Sequence, residues 1–256
     1  RASPVVDGYV LNQGVRATAR GAGDWLDRRA RALLAARGHD PLPRFLLRET
    51  RATPDSAPKR PNPKAFHSSY IELKKNEVAR DIKESLCCIP DEPTEEEDQI
   101  RPGIQEQNYE LPDGTTIKIQ PDLITLPELM FKSQGSSKNR DTTGSNELTL
   151  PQIAYKALEN SDGDARKEMA ASILLCGGGS LFHGIAEKMG AEMTQLLPSS
   201  YRVRVINPTA EEKKFSTWIG GSILCSLGSF QQMWVSKQEY EEKGAHKLFE
   251  EERFEY

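Results

Sequence analysis

The chain has 256 residues, 37% hydrophobic and 28% charged, which is long enough for two compact units and too polar for a membrane-embedded protein. Its 34 basic and 38 acidic side chains leave a net charge of −4, so no global field draws it toward nucleic acid. No apolar run approaches the roughly 20 residues of a bilayer span, and no charged-then-apolar leader opens the chain. Cys87 and Cys88 are adjacent and none of the four cysteines sits in a Cys-x-x-Cys pair, so neither a disulfide framework nor a zinc pattern is indicated. A soluble intracellular protein in a reducing compartment is expected.

Val5 to Leu11 reads as a strand and turn already under way directly after Arg1-Ala-Ser-Pro4, so a fragment or truncated gene model is expected. From Asp24 to Arg37 the positions Leu26, Ala30, Leu33 and Leu34 form one helix face, and Gly38 supplies the stop. The Pro- and Arg-rich segment Pro41 to Pro63 reads as an exposed insertion without a core of its own. Ile71, Val78, Ile82, Leu86 and Ile89 then make a helical stripe whose opposite side carries Arg80, Lys83 and Glu84. After an acidic linker, Asp91 to Asp98, the stretch Tyr109 to Ile119 places a Pro-Asp-Gly turn between two alternating strands, which predicts a hairpin.

Lys132 to Asn146 is a second loop, and Leu150 to Leu158 a helix. Ser172 to Leu175 reads as a strand, Cys176-Gly177-Gly178-Gly179-Ser180 as a glycine turn, Ile185 to Leu196 as a helix and Tyr201 to Ile206 as a strand. That order is an α/β unit. In the last part Ser216 reads as an N-cap ahead of Ile219, Ile223, Leu224, Leu227 and Phe230 at helical spacing. Gly220 and Gly221 inside that pattern suggest close approach of another backbone.

Two groups could carry chemistry. A glycine turn between strand and helix lets backbone N–H groups and a helix N-terminus approach a nucleotide, although many tight connections use glycine for no other reason. Arg80, Lys83 and Glu84, at i, i+3 and i+4, share a face that could set a cation over a base and a carboxylate on a ribose, or simply be a solvated ion-paired face.

Residues 216–244, from Ser-Thr-Trp218-Ile-Gly220-Gly221 through Cys225, Phe230 and Trp234 to Lys237-Gln-Glu-Tyr240-Glu-Glu-Lys-Gly244, resemble the C-terminal signature of actins nearly word for word. Further stretches match in order: Asp81-Ile82-Lys83-Glu84-Ser-Leu86-Cys87 resembles an actin helix, Tyr109 to Gly114 its hairpin, and Leu174 to Ile185 its adenosine loop. The resemblance implies an α/β fold, the actin-like ATPase (ribonuclease H-like) fold, second half only, with a smaller inserted α+β subdomain. On that frame residues 1–22 and 146–215 are the large subdomain and 23–145 the insert, with a disordered loop at about 40–66. Residues 216–256 are helices that pack on the N-terminal half, which the resemblance does not cover.

The same resemblance implies ATP as ligand, with Mg if the N-terminal half is supplied. Base and ribose would be held by Gly23, Arg80, Lys83, Glu84, Gly178, Gly179, Leu181, Phe182 and Lys214; Gly179 stands where conventional actins have Thr, and Phe182 where they have Tyr. The phosphate hairpins and hydrolytic residues belong to the uncovered half, so no enzyme is expected of this chain alone.

Within the family, Asp7 to Leu11, the insertion after Gly38, Leu227-Gly228-Ser229-Phe230 and Tyr240 to Gly244 resemble the fourth, nuclear subfamily of actin-related proteins, while the tail to Tyr256 departs from it. That likeness implies a non-polymerising scaffold subunit of a nuclear chromatin-remodelling or histone acetyltransferase complex. Its expected partners are nuclear actin and an amphipathic scaffold helix received by Tyr9, Leu224, Leu227 and Met233. A histone contact through Pro58 to Lys64 is weighed against a solvated loop, and no membrane contact is expected. The alternative is a conventional cytoskeletal actin or dynactin-type filament subunit in the cytoplasm. A sugar kinase or chaperone ATPase is weaker, because those families lack the Trp218 to Gly244 block.

Overall fold

The computed structural model describes residues 1–18, 21–47, 61–90, 105–132 and 148–249. In chain order they form β1 (Val5–Val6), β2 (Tyr9–Val10), α1 (Gly23–Ala36), α2 (Arg44–Leu47), α3 (Ser68–Leu86), β3 (Gln107–Glu110), β4 (Thr116–Ile119) and α4 (Pro121–Ile124). There follow α5 (Leu150–Glu159), α6 (Arg166–Ala170), β5 (Ile173–Leu174), α7 (Ile185–Leu196), β6 (Val205–Ile206), α8 (Ala210–Ser226) and α9 (Lys237–Phe249). Residue contacts divide the chain into two units, Arg1–Ala17 with Gln152–Leu181 and Gly190–Tyr256, and Thr18–Pro151 with Phe182–Met189. The residues after 216, expected as a separate segment, group with the first unit.

The second unit is built on α1 and α3. Leu26, Ala30 and Leu34 of α1 and Val78, Ala79 and Ile82 of α3 are buried, as the 3.6-residue periodicity requires. Asp27 pairs with Arg80 and Lys83, Arg31 with Glu72 and Asn76, and Asp40 with Lys75. The first two sets, Asp27 with residues 80 and 83 and Arg31 with residues 72 and 76, run in opposite order along the two helices, which are therefore antiparallel. Gly38 ends α1 with φ +80°, its N–H donating to Ala35 O and that of His39 to Leu34 O, so two orphan carbonyls are satisfied. The expected hairpin is present: β3 and β4 pair antiparallel with Tyr109 opposite Ile117, and Ile117 and Ile119 are buried.

The expectation of an unstructured loop over about 40–66 needs correction at both ends. Residues 44–47 are helical, and Phe45 packs ring to ring on Phe66 at 4.9 Å and on Tyr70 at 5.2 Å. The apolar residues flanking the polar stretch have their own contacts, which composition averaged over the whole segment hides. Positions 48–60, the acidic linker, most of the loop after Lys132 and the tail from residue 250 lie outside the described residues.

In the first unit β1 and β2 form a short hairpin through Asp7-Gly8, and β5 and β6 pair in parallel, Ile173 opposite Val205. The strand expected over Tyr201–Ile206 shrinks to Val205–Ile206, because only the backbone of its end meets β5. Of the part of α7 in this unit, Met193 is buried while Leu196 is exposed.

Two readings of the C-terminal block are overturned. Ser216 is not an N-cap: it lies inside α8 and donates to Lys213 O. The helix starts earlier because Thr209 and Glu212 form a reciprocal capping box, Thr209 Oγ1 accepting from the Glu212 N–H and the Glu212 carboxylate accepting from the Thr209 N–H. No backbone approaches Gly220 or Gly221; a Cβ at either would meet nothing within 4 Å among the described residues. No helix of the described residues is long and apolar enough to cross a membrane.

Candidate functional site

The residues expected to hold a nucleotide fall on both units, and each group has its own geometry. In the second unit Asp27 is an acid on the apolar face of α1, 2% exposed. Its Oδ2 accepts from Arg80 Nε at 2.9 Å, and Lys83 Nζ lies 2.7 Å from its Oδ1, off the line of a directed hydrogen bond, so that contact is ionic. The hydrogen bond to Asp27 raises the Arg80 guanidinium further above its already high ordinary value.

This arrangement corrects the shared solvated face expected of Arg80, Lys83 and Glu84. Lys83 is buried, Arg80 is half-buried and also reaches Asp24 Oδ1 at 3.3 Å, and Glu84 alone is exposed. Lys83 turns inward because a buried carboxylate opposite it must be neutralised; removing the pair's partner leaves an uncompensated charge in low dielectric. Gly23, at the start of α1, comes next to that ammonium: a Cβ there would stand 3.9 Å from Lys83 Nζ. The structure thus brings Gly23, Arg80 and Lys83 together through Asp27, a residue the apolar spacing concealed.

In the first unit the glycine turn is a 3-10 turn, Gly178–Ser180, rather than the N-terminus of a long helix; α7 begins only at Ile185. Gly178 and Gly179 are exposed, nothing lies within 4 Å of a Cβ at either, and their amides donate to no described group. Adjacent N–H groups facing open space can receive an anion or a ring edge.

The turn is held from beneath by Lys213. Its carbonyl accepts from the Gly177 N–H at 2.7 Å, and its buried Nζ donates to Ser180 O at 3.1 Å. Lys214, the lysine expected at the site, is exposed, with Nζ 5.6 Å from the Phe215 ring centre. Leu181 is exposed and Phe182 half-buried. The signal for Lys213 was in the sequence: Thr209-x-x-Glu212 fixes the first turn of α8 and with it which lysine faces the loop.

The positions expected to receive a partner helix are all in the first unit. Tyr9, Leu224 and Leu227 are exposed and Met233 half-buried. Around them Trp218 is 73% exposed and Ile223 and Trp234 are also open to solvent. Among the described residues no group of three or more His, Cys, Asp or Glu is arranged to hold a metal ion.

Comparison with known proteins decides the family. The family model described as Actin matches residues 1–253. The chain belongs to the actin family. It therefore has the actin-like ATPase fold, and the mixed helices and short sheets are those of a partial domain. Among its relatives in the actin family, the chain is similar to "Actin-related protein 4" of Yarrowia lipolytica, 35% identical over 98% of this chain and 58% of the relative. Likeness to "Actin-related protein 4" of Arabidopsis thaliana is 37% over 95% of this chain and 56% of the relative, and to that of Oryza sativa subsp. indica 35% over 94% and 55%. The chain spans little more than half the length of these relatives. They support an actin-related protein, and membership of the actin family suggests nucleotide binding.

Proposed function

We propose that the protein is an actin-related, non-polymerising, nucleotide-binding scaffold subunit of a nuclear chromatin-remodelling or histone acetyltransferase complex. The observation that carries the reading is the exposure of Tyr9, Leu224 and Leu227, a set apart from Ile219, Ile223 and Trp234, which the resemblance packs on the N-terminal half, together with relatives named Actin-related protein 4. Covering each large side chain of that set is worth about 1.5–3 kcal/mol, which suits a second polypeptide as its occupant. An amphipathic helix laid against Leu224, Leu227, Met233 and Tyr9, with nuclear actin beside it, fits that chemistry.

The ligand proposed is ATP, with Mg. On the first unit the exposed amides of Gly178 and Gly179 suit the edge of an adenosine; on the second, the exposed Glu84 carboxylate suits ribose hydroxyls and half-exposed Arg80 suits a base. Lys83 and Lys213 act one step back: each holds the group that faces the ligand, Lys83 through Asp27 and Lys213 through the carbonyl of Ser180. Turnover is expected to be slow or absent and the location nuclear.

The test uses the full-length protein co-expressed with actin and a scaffold helix. A stable stoichiometric assembly that binds a fluorescent ATP analogue, turns ATP over slowly and forms no filaments is expected. Brisk turnover with filament growth of the protein alone would overturn the proposal in favour of a filament subunit.

A further inference from the structure

On the second unit a cleft of about 400 Å³ opens on the side of α3 away from Lys83. Lys74, Glu77, Val78 and Asp81, at i, i+3, i+4 and i+7, form its floor, and seven residues is close to two helical turns, so they share one face. The walls are Phe45, Tyr70 and Tyr109 with Pro43 and Pro112 beside them. None of these residues belongs to the proposed nucleotide site.

The charges in this cleft are partly spent. Lys74 Nζ donates to both Glu77 oxygens at 2.8 and 2.9 Å and lies 5.7 Å over the Tyr70 ring, so that pair is closed on itself. Tyr109 Oη donates to Asp81 Oδ2, while Asp81 Oδ1 has no hydrogen-bond partner among the described residues, and neither does the Arg44 guanidinium. Burial, then the bond to Asp81, push the Tyr109 phenol up to about 12, so it stays a donor across the physiological range. One available carboxylate oxygen and one available guanidinium therefore flank a set of aromatic rings.

We propose that this cleft binds a short proline-rich peptide segment of a partner protein, with a basic residue of the peptide on Asp81. A polyproline II segment has no internal hydrogen bonds, so its carbonyls are free to accept from Arg44, and its proline rings stack on tyrosine and phenylalanine faces at little entropic cost. A cofactor or other small molecule instead needs a site that buries most of its surface. Here Asp81 and Arg44 are exposed and Tyr70 is 40% exposed, which suits a ligand left half in water. The floor residues are braced on a helix whose other face is core, so the cleft is preorganised.

The test is fluorescence anisotropy of the full-length protein with a labelled Arg-Pro-Leu-Pro-Pro-Leu-Pro peptide. Controls carry Glu in place of the Arg, or Ala in place of every Pro. Saturable binding is expected that weakens about tenfold in Asp81→Asn, which keeps the Tyr109 bond but loses the charge, and in Tyr70→Ala, and that both control peptides lack. Tyr109→Phe serves as a second, conservative variant that must leave the fold intact by circular dichroism. No saturable binding to the folded wild-type protein, equal binding of the Glu peptide, or indifference to both Asp81→Asn and Tyr70→Ala would each overturn the proposal. These readouts need no nucleotide and no scaffold helix, so they stand apart from the test of the proposed function.

Discussion

The α1–α3 pair and the α8 segment are equally rich in helical apolar positions, yet they end in opposite environments. Leu26, Ala30, Leu34, Val78 and Ile82 are buried within their own unit, with a buried acid and lysine neutralising one another beside them. Trp218, Ile223, Leu224 and Leu227 stay in water. The periodicity that predicts a helix says which face is apolar and nothing about what covers it. A helix whose apolar face is left open is held by its ends and its backbone, as the Thr209–Glu212 box holds α8, and keeps its side chains for another surface.

The widest gap between the two regions is expected at Asp27. Asp27→Ala leaves Lys83 buried without its counter-charge, and stability should fall by about 3–5 kcal/mol in chemical denaturation. The opposed pair Ile82→Ala and Ile223→Ala comes next. The first creates a cavity costing about 2–5 kcal/mol, whereas the second should change stability by no more than about 0.5 kcal/mol and lower self-association in light scattering. Equal losses from both would erase the distinction between covered and uncovered helices.

Much of the fold was legible in the residues, and the rest was hidden for physical reasons. Leu26, Ala30 and Leu34, the Gly38 stop and the Tyr109–Ile119 hairpin follow from local spacing and turn chemistry alone. Asp27 and Lys83 do not: Lys83 reads as part of a solvated face, the apolar spacing gives Asp27 no role, and only their meeting across two helices buries both. The start of α8 is hidden because its first turn, Ala210-Glu211-Glu212-Lys213, carries no large apolar side chain, so the apolar pattern begins well after the cap. That same boundary turns Lys213 toward the glycine turn and leaves its neighbour Lys214 exposed.

A smaller effect sharpens the comparison at the cap. Thr209→Ala should destabilise α8 by about 1 kcal/mol and leave the α1–α3 pair unchanged. The Glu212 carboxyl is lowered from its ordinary value, first by the backbone hydrogen bond from Thr209 and then by that residue's side chain. A group lowered on folding contributes stability above its unfolded value and loses it as pH falls through the folded one. Helicity of α8 should therefore be complete at neutral pH and fray in acid below the ordinary glutamate range. The Thr209→Ala variant should be flatter over that range when followed by circular dichroism.

The most direct test of the central claim is peptide-resolved hydrogen exchange on the protein before and after it joins actin and a scaffold helix. The amides of α1 and α3 should be protected in both states, while those of residues 224–233 should exchange quickly alone and become protected on assembly. If residues 224–233 are as protected as α3 before any partner is added, or gain nothing in the complex, that face is not a docking surface and the scaffold reading fails.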